Sequence, residues 1–254
     1  MPSKIYNIYK PLGLTPLQAL EKFKKKKKLS KNLSITYAGR LDPMAEGVLL
    51  LLTGDKVHEK EKYLKLDKTY RAQILFGVST DTFDILGKIL NIGGAVPKID
   101  TINKEIKNFT GKITLPIPPY SSVPISGKPS FMHARAGDLK LDNAQKREME
   151  IYKVKFNAYK KISPDKVLKT VQHKIAKVSG DFRQKEVLKL WKQNLTSSKS
   201  LQFGLLDITI SCRSGTYIRS IAHTLGKNLS TPSLLYNLKR EKVGKYTISK
   251  SLKV

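Results

Sequence analysis

The sequence predicts one domain that mixes β-strands and α-helices, and three observations carry that reading. Segments alternating apolar and polar residues, such as "DKTYRAQILFGVST", are interleaved with segments whose apolar residues recur at helical spacing. No Pro/Gly/Ser-rich or charged linker divides the 254 residues, so 1–254 is expected as a single catalytic-sized domain carrying insertions. An apolar fraction of 40% is enough for a full-sized core.

The elements follow in order. "KIYNIYKPLG" reads as a short strand and a turn. A helix then opens with Thr15 as N-cap and Pro16 behind it. Leu17, Leu20 and Phe23 share one helical face, and Lys24 to Lys28 place cations at the negative pole of the helix. "AGRLDPMAEGVLLLLTG" sets an acidic side chain, Asp42, at the mouth of the longest apolar run, with Val48 to Leu52 expected as a core strand or helix. Asp before Pro is usually a turn or N-cap residue. A carboxylate held at the rim of a core for chemistry is the other reading. "DKTYRAQILFGVST" reads as a strand ending in a turn, "TDTFDILGKI", where Asp81 and Asp84 fit capping better than a metal site. Residues 98–111 read as helix. Residues 115–137 form a long loop carrying Tyr120, Phe131, His133 and Arg135, types that stack on bases or touch phosphates. "REMEIYKVKFNAYKKI" and "FGLLDITISC" read as strands. Between them, 162–200 is basic and helical, with Val167, Val171, Ile175 and Val178 on one face. "SGTYIRSIAHTLGKNL" is a turn plus helix ending near Gly226, and the chain finishes with a turn, a strand and a short helical tail.

Composition narrows the function. There are 48 Lys and Arg against 20 Asp and Glu, a net charge of +28, and the excess favours a polyanionic partner, above all nucleic acid. No apolar run is long enough for a membrane helix, and the N-terminus lacks the apolar core of a signal peptide, so a cytoplasmic protein is expected. Cys212 is the only cysteine and the four histidines are scattered, which leaves neither a disulfide framework nor a zinc cage. No Gly-rich phosphate loop, His-Glu-x-x-His pair or nucleophile elbow is present.

Clusters without a standard catalytic device remain, and in their order the chain resembles the TruB family of tRNA pseudouridine synthases. The opening Lys10, Pro11, Gly13 and Thr15 match, as do Gly39, Leu41, Asp42, Pro43, Ala45, Gly47, Val48 and Leu49. Lys68 and Tyr70, then Thr80, Thr82, Asp84 and Gly87, follow. "PPYSS" with Ala134, Arg135 and Gly137 corresponds to a thumb loop, and "RSGTYIRS" closes the set. Tyr37 stands where the family usually has His, Arg40 where it often has Thr, Pro124 where Lys is expected and Phe131 where Tyr is.

The resemblance implies the pseudouridine synthase fold: α+β, with a mixed, largely antiparallel central sheet flanked by helices and an inserted thumb loop at 115–137. It implies isomerisation of a uridine in tRNA, most naturally position 55 in the T loop, with the base flipped into a pocket and no cofactor or metal. Asp42 would be the nucleophile, and Arg219 would hold it as an anion by a bidentate fork, because burial alone would protonate it. Tyr70 would stack on the uracil and assist proton transfer. Tyr37, Arg40, Lys10, Lys68, Leu235 and Arg135 would contact RNA or the base, Leu235 through its apolar side chain. The chain is expected to lack the family's C-terminal PUA domain and to act as a monomer on the T arm. The 162–200 insertion then reads either as an acceptor-stem grip, through its lysines and Trp191, or as a packed helical pair with a basic face. Two other functions fit the same scaffold: a synthase for another RNA target, and a non-catalytic tRNA-binding or folding protein. A retired enzyme would be expected to lose the Asp-Tyr-Arg trio.

Overall fold

The computed structural model describes residues 3–138, 145–197 and 200–254; residues 1, 2 and 139–144 of the predicted domain, and 198 and 199 of the predicted insertion, lie outside them. The strands are β1 (Ile5–Lys10), β2 (Ile35–Ala38), β3 (Ala45–Thr53), β4 (Lys68–Phe76), β5 (Val78–Thr80), β6 (Ile89–Ile92), β7 (Gly111–Pro116), β8 (Pro124–Ile125), β9 (Lys128–Pro129), β10 (Lys146–Ile162), β11 (Phe203–Cys212), β12 (Ser233–Val243), β13 (Tyr246–Thr247) and β14 (Leu252–Lys253). The helices are α1 (Pro16–Lys26), α2 (Lys60–Leu64), α3 (Ile99–Lys107), α4 (Ser130–Ala136), α5 (Pro164–Ile175), α6 (Gln184–Thr196) and α7 (Ile218–Asn228).

Ten strands form one sheet with the spine β14-β1-β3-β12-β4-β11-β10-β7. Pairing is antiparallel except for β1 with β14 and β3 with β12. The α+β class and the mixed, largely antiparallel sheet are as the resemblance implied. The two faces separate by strand alternation. Ile74 and Phe76 of β4 face α3 and α7, through Ile102, Ile106, Ile221 and Leu225. Leu75 points the other way, to α5 and α6, through Val167, Val171, Val187 and Trp191. The run Val48 to Leu52 is a strand with both faces buried, which is why it does not alternate.

Thr15 caps α1 as expected, in a full capping box with Gln18. Leu17 does not join the buried face; it is exposed, and Ala19, Leu20 and Phe23 form that face instead. The thumb region is more regular than a loop, because its Pro and Gly residues shape a β8–β9 hairpin that leads into α4. Trp191 is wholly buried and its indole N–H donates to the Gly87 carbonyl at 3.1 Å, so it is core and offers RNA no stacking face. Trp191→Ala is expected to cost about 3–5 kcal/mol by opening a cavity, read from a denaturant melt. A loss below 1 kcal/mol would show that the helical pair is not part of the cooperative core.

Candidate active site

The site lies in a cleft of about 670 Å³ across the middle of the sheet, walled by the Gly39–Met44 turn, β4, the thumb and the start of α7. Asp42 reaches it because the turn before β3 closes tightly: the Ala45 N–H donates to the Asp42 carbonyl at 3.0 Å, and the Gly13 N–H to the Pro43 carbonyl at 2.8 Å. Gly13 has a φ of +92°, and a Cβ there would lie 2.0 Å from the Lys177 carbonyl oxygen, so only glycine fits.

Arg219 enters from the first turn of α7, where the helix dipole disfavours a cation. Carboxylates offset that cost. Its Nε lies 2.9 Å from Asp42 Oδ2 and 3.9 Å from Asp84 Oδ2. The rest of the guanidinium does not form the expected bidentate fork, because Nη1 donates to the Thr82 carbonyl at 3.0 Å and Nη2 to the Tyr120 carbonyl at 3.1 Å. The Arg219 side chain is 7% exposed and that of Asp42 42%, so the pair has one dry end and one end open to the cleft. A fixed cation beside an accessible carboxylate suits an attacking anion.

Asp84 caps its own turn, accepting from the Leu86 N–H at 2.9 Å and the Thr82 hydroxyl at 2.7 Å, as the sequence implied. It also makes the second carboxylate at Arg219, which turn-capping did not foretell. Burial pushes its carboxyl from 3.8 up to about 6, against the pull of Arg219. The folded state therefore holds an extra proton between about pH 4 and 6, and stability falls as pH rises through that window. Asp84→Asn is expected to flatten that fall, read from the change in urea midpoint across the window. A slope equal to wild type would remove Asp84 as its source.

Tyr70 is where the resemblance put it, on β4 facing the cleft and nearly buried. Burial pushes its phenol up, partly countered by Arg240. Arg240 pairs with Tyr70 across β4 and β12, and donates to the carbonyls of Val48 (2.8 Å), Arg40 (3.0 Å) and Gly39 (3.2 Å). It thus fixes the turn that carries Asp42. The sequence reading missed it, although an Arg two residues beyond Leu238 in the alternation of β12 was a usable signal.

The other predicted residues divide. Tyr37, Arg40, Lys68 and Arg135 all line the cleft. The Tyr37 ring has Lys60 Nζ 5.9 Å from its centre. Lys68 donates to the Leu64 carbonyl at 2.6 Å and the Ser214 hydroxyl at 2.9 Å, and burial lowers its ammonium to about 8. Arg135 donates to the Asp181 carbonyl at 2.9 Å. Lys10 is not an RNA-facing cation: it is wholly buried and donates to the Leu14 carbonyl at 2.6 Å and the Pro11 carbonyl at 3.1 Å. Leu235 is not in the cleft wall either. It sits behind Asp42 and Asp84 at a void of about 10 Å³, and Leu238, three residues on, supplies the wall.

Among the described residues no group of three or more His, Cys, Asp or Glu side chains is arranged to hold a metal ion, and no helix is long and apolar enough to cross a membrane.

Residues 26–176 match the TruB family pseudouridylate synthase N-terminal domain. A tRNA pseudouridine synthase B of Borreliella burgdorferi is 31% identical over 244 residues, 96% of this chain and 71% of that protein. One from Clostridium kluyveri is 26% identical over 248 residues, 98% of this chain and 70% of the relative. Among solved structures, a Cbf5–Nop10–Gar1 complex contains a chain matching with a TM-score of 0.60 at 18% identity, over 98% of this chain. An H/ACA ribonucleoprotein bound to a substrate RNA containing 2′-deoxyuridine matches with a TM-score of 0.58 at 17% identity. This chain spans about half the length of those solved chains, 52% and 50%. With Asp42, Tyr70 and Arg219 gathered in one cleft, and with the family's N-terminal domain matching more than half of the chain, the chain belongs to the TruB family of pseudouridylate synthases.

Proposed function

We propose that the protein is a monomeric, cytoplasmic tRNA pseudouridine synthase that isomerises the T-loop uridine at position 55, with Asp42 as nucleophile. The observation that carries this reading is the Asp42–Arg219 pair at 2.9 Å, open to a cleft that Tyr70 also lines. The target uridine is extruded from its stack into that cleft, at a cost of a few kcal/mol. Asp42 supplies the attacking carboxylate, whose transient bond to the substrate breaks again before product leaves, with Arg219 aligned beside it. The bond from uracil N1 to the sugar C1′ breaks, the base turns, and C5 bonds to C1′. C5 loses a proton and N1 gains one, so the atoms balance without a cofactor. Tyr70 stacks on the base and lies where it can relay that proton. Arg40 and Arg135, exposed at the rim, meet phosphates, and Tyr37 fills space left by the flipped base.

The test is conversion of a T-arm transcript and of whole tRNA, with pseudouridines mapped base by base. Pseudouridine at the T-loop uridine is the expected result. Conversion only at other tRNA positions or in ribosomal RNA would replace the substrate assignment. Tight binding with no conversion of any RNA would leave a tRNA-binding protein on the same scaffold.

A further inference from the structure

The turn between α5 and α6 reaches into the site. Arg183 sits there with a φ of +62°, a region that side-chain-bearing residues seldom occupy. The turn is pinned on both sides of it. The Ser179 N–H donates to the Gly13 carbonyl at 3.1 Å, and the Phe182 N–H to Gln184 Oε1 at 2.8 Å. Gln184 Nε2 in turn donates to the Gly180 carbonyl at 2.6 Å.

Arg183 has two partners. Its Nη1 lies 2.8 Å from Asp81 Oδ2, with both side chains about four-fifths buried, at 20% and 19% exposed. Its guanidinium carbon lies 4.3 Å from the centre of the Tyr120 ring. A planar guanidinium suits both contacts, pairing a carboxylate through its edge and an aromatic ring through its face. These partners adjoin the two carbonyls that hold Arg219. One is the carbonyl of Thr82, the residue after Asp81, and the other is that of Tyr120 itself. With both Nη groups committed, Nε is the donor left facing Asp42.

We propose that Arg183 is a positioning residue for the isomerisation: by bracing the Asp81–Thr82 turn and the thumb Tyr120 together, it aims Arg219 at Asp42. The insertion is then a working part of the site rather than cover for the sheet. This deepens the isomerase reading and rests on it.

The experiment compares wild type with Arg183→Ala, Arg183→Lys and Asp81→Asn. It measures single-turnover conversion of a T-arm transcript, its binding affinity, thermal melting, and the Arg219 Nε–H resonance, assigned by its loss in Arg219→Lys. A misaimed group costs up to about 100-fold in rate. Arg183→Ala is therefore expected to slow conversion by about 10- to 100-fold with affinity held, while the stranded Asp81 lowers the melting temperature. Its Arg219 Nε–H proton should exchange faster with solvent. Arg183→Lys keeps the ion pair and should restore part of the rate. Asp81→Asn takes the charge out of the same brace without touching the Arg183 turn, so a smaller loss of rate with a shifted Nε–H signal decides the matter if Arg183→Ala fails to fold. A wild-type rate with an unmoved Nε–H signal overturns the proposal. A rate loss matched by lost affinity with the signal unmoved also overturns it, and makes Arg183 a direct RNA contact. If wild type converts no RNA, the isomerase reading fails, and the Nε–H signal alone then decides whether Arg183 aims Arg219.

Discussion

Asp42→Asn is expected to abolish conversion of a T-arm transcript, by at least about 10⁴-fold in single-turnover rate, the scale of loss when a nucleophile is removed. That is about 5 kcal/mol of barrier. The substitution is nearly isosteric, and Asn can still turn its carbonyl oxygen to the Arg219 Nε–H now 2.9 Å away. Shape and one hydrogen bond survive; the negative charge does not. Because the Asp42 side chain is 42% exposed, the change should barely alter stability, and RNA affinity should stay near wild type. Rate measured at saturating enzyme, alongside a binding curve, checks both parts. Conversion near the wild-type rate would remove Asp42 from the nucleophile's role.

Arg219→Ala should do more damage, because it acts on fold and chemistry together. It takes the donors from the Thr82 and Tyr120 carbonyls and leaves Asp84, 9% exposed, without its cation. Breaking a buried pair in this way costs about 3–5 kcal/mol. The sign with pH follows from Asp84, whose carboxyl already sits at about 6. Without Arg219 its value rises further, so the stranded group is neutral in mild acid and charged above it. The stability deficit against wild type should therefore be smaller near pH 5 than near neutrality, where the carboxylate must ionise or stay protonated at a cost. Denaturant melts at both values read this directly. The double variant Arg219→Ala/Asp84→Asn should recover part of the neutral-pH loss. An equal deficit at both pH values, with no recovery in the double variant, would show that the charge pairing is not what stabilises this corner. Conversion should be lost in either variant, since Asp42 then has no aligned cation.

Much of this was legible in the chain because it depends on local physics. Thr15 followed by Pro16 announces a helix start, and the structure adds Gln18 to the cap. Val167, Val171 and Ile175 announce a buried helix face by spacing alone. The short motifs around Asp42, Tyr70 and Arg219 each mark a turn or strand end, and their order carried the family likeness.

What failed was inference about where long side chains go. Lys10 and Lys68 are both lysines in matched motifs, yet one is sealed under the Leu14 and Pro11 carbonyls and the other lines the cleft. Leu235 and Leu238 lie on one strand and look equivalent in sequence. A register shift between Leu235 and Asn237 on β12 puts both on the same face of the sheet, and position along the strand then decides: Leu238, opposite Ala72, reaches the cleft, while Leu235, opposite Ile74, lies beyond it. Trp191 fitted either an RNA grip or a packed helical pair, and its burial among α5, α6 and the sheet makes it the second.

By itself, then, the sequence determined most of the longer helices and strands, the mixture of the two and the presence of an acid before an apolar run, because caps, periodicity and turn chemistry act within a few residues. Only the tertiary structure decided that Arg219 meets Asp42 and Asp84 at once, that Arg240 ties down the Gly39–Arg40 turn, and that Arg183 reaches Asp81 and Tyr120. Those contacts join residues from 63 to 201 positions apart in a chain of 254. No local signal encodes such a pairing; it exists because one sheet and its turns bring the groups into a dry corner where opposite charges must find each other.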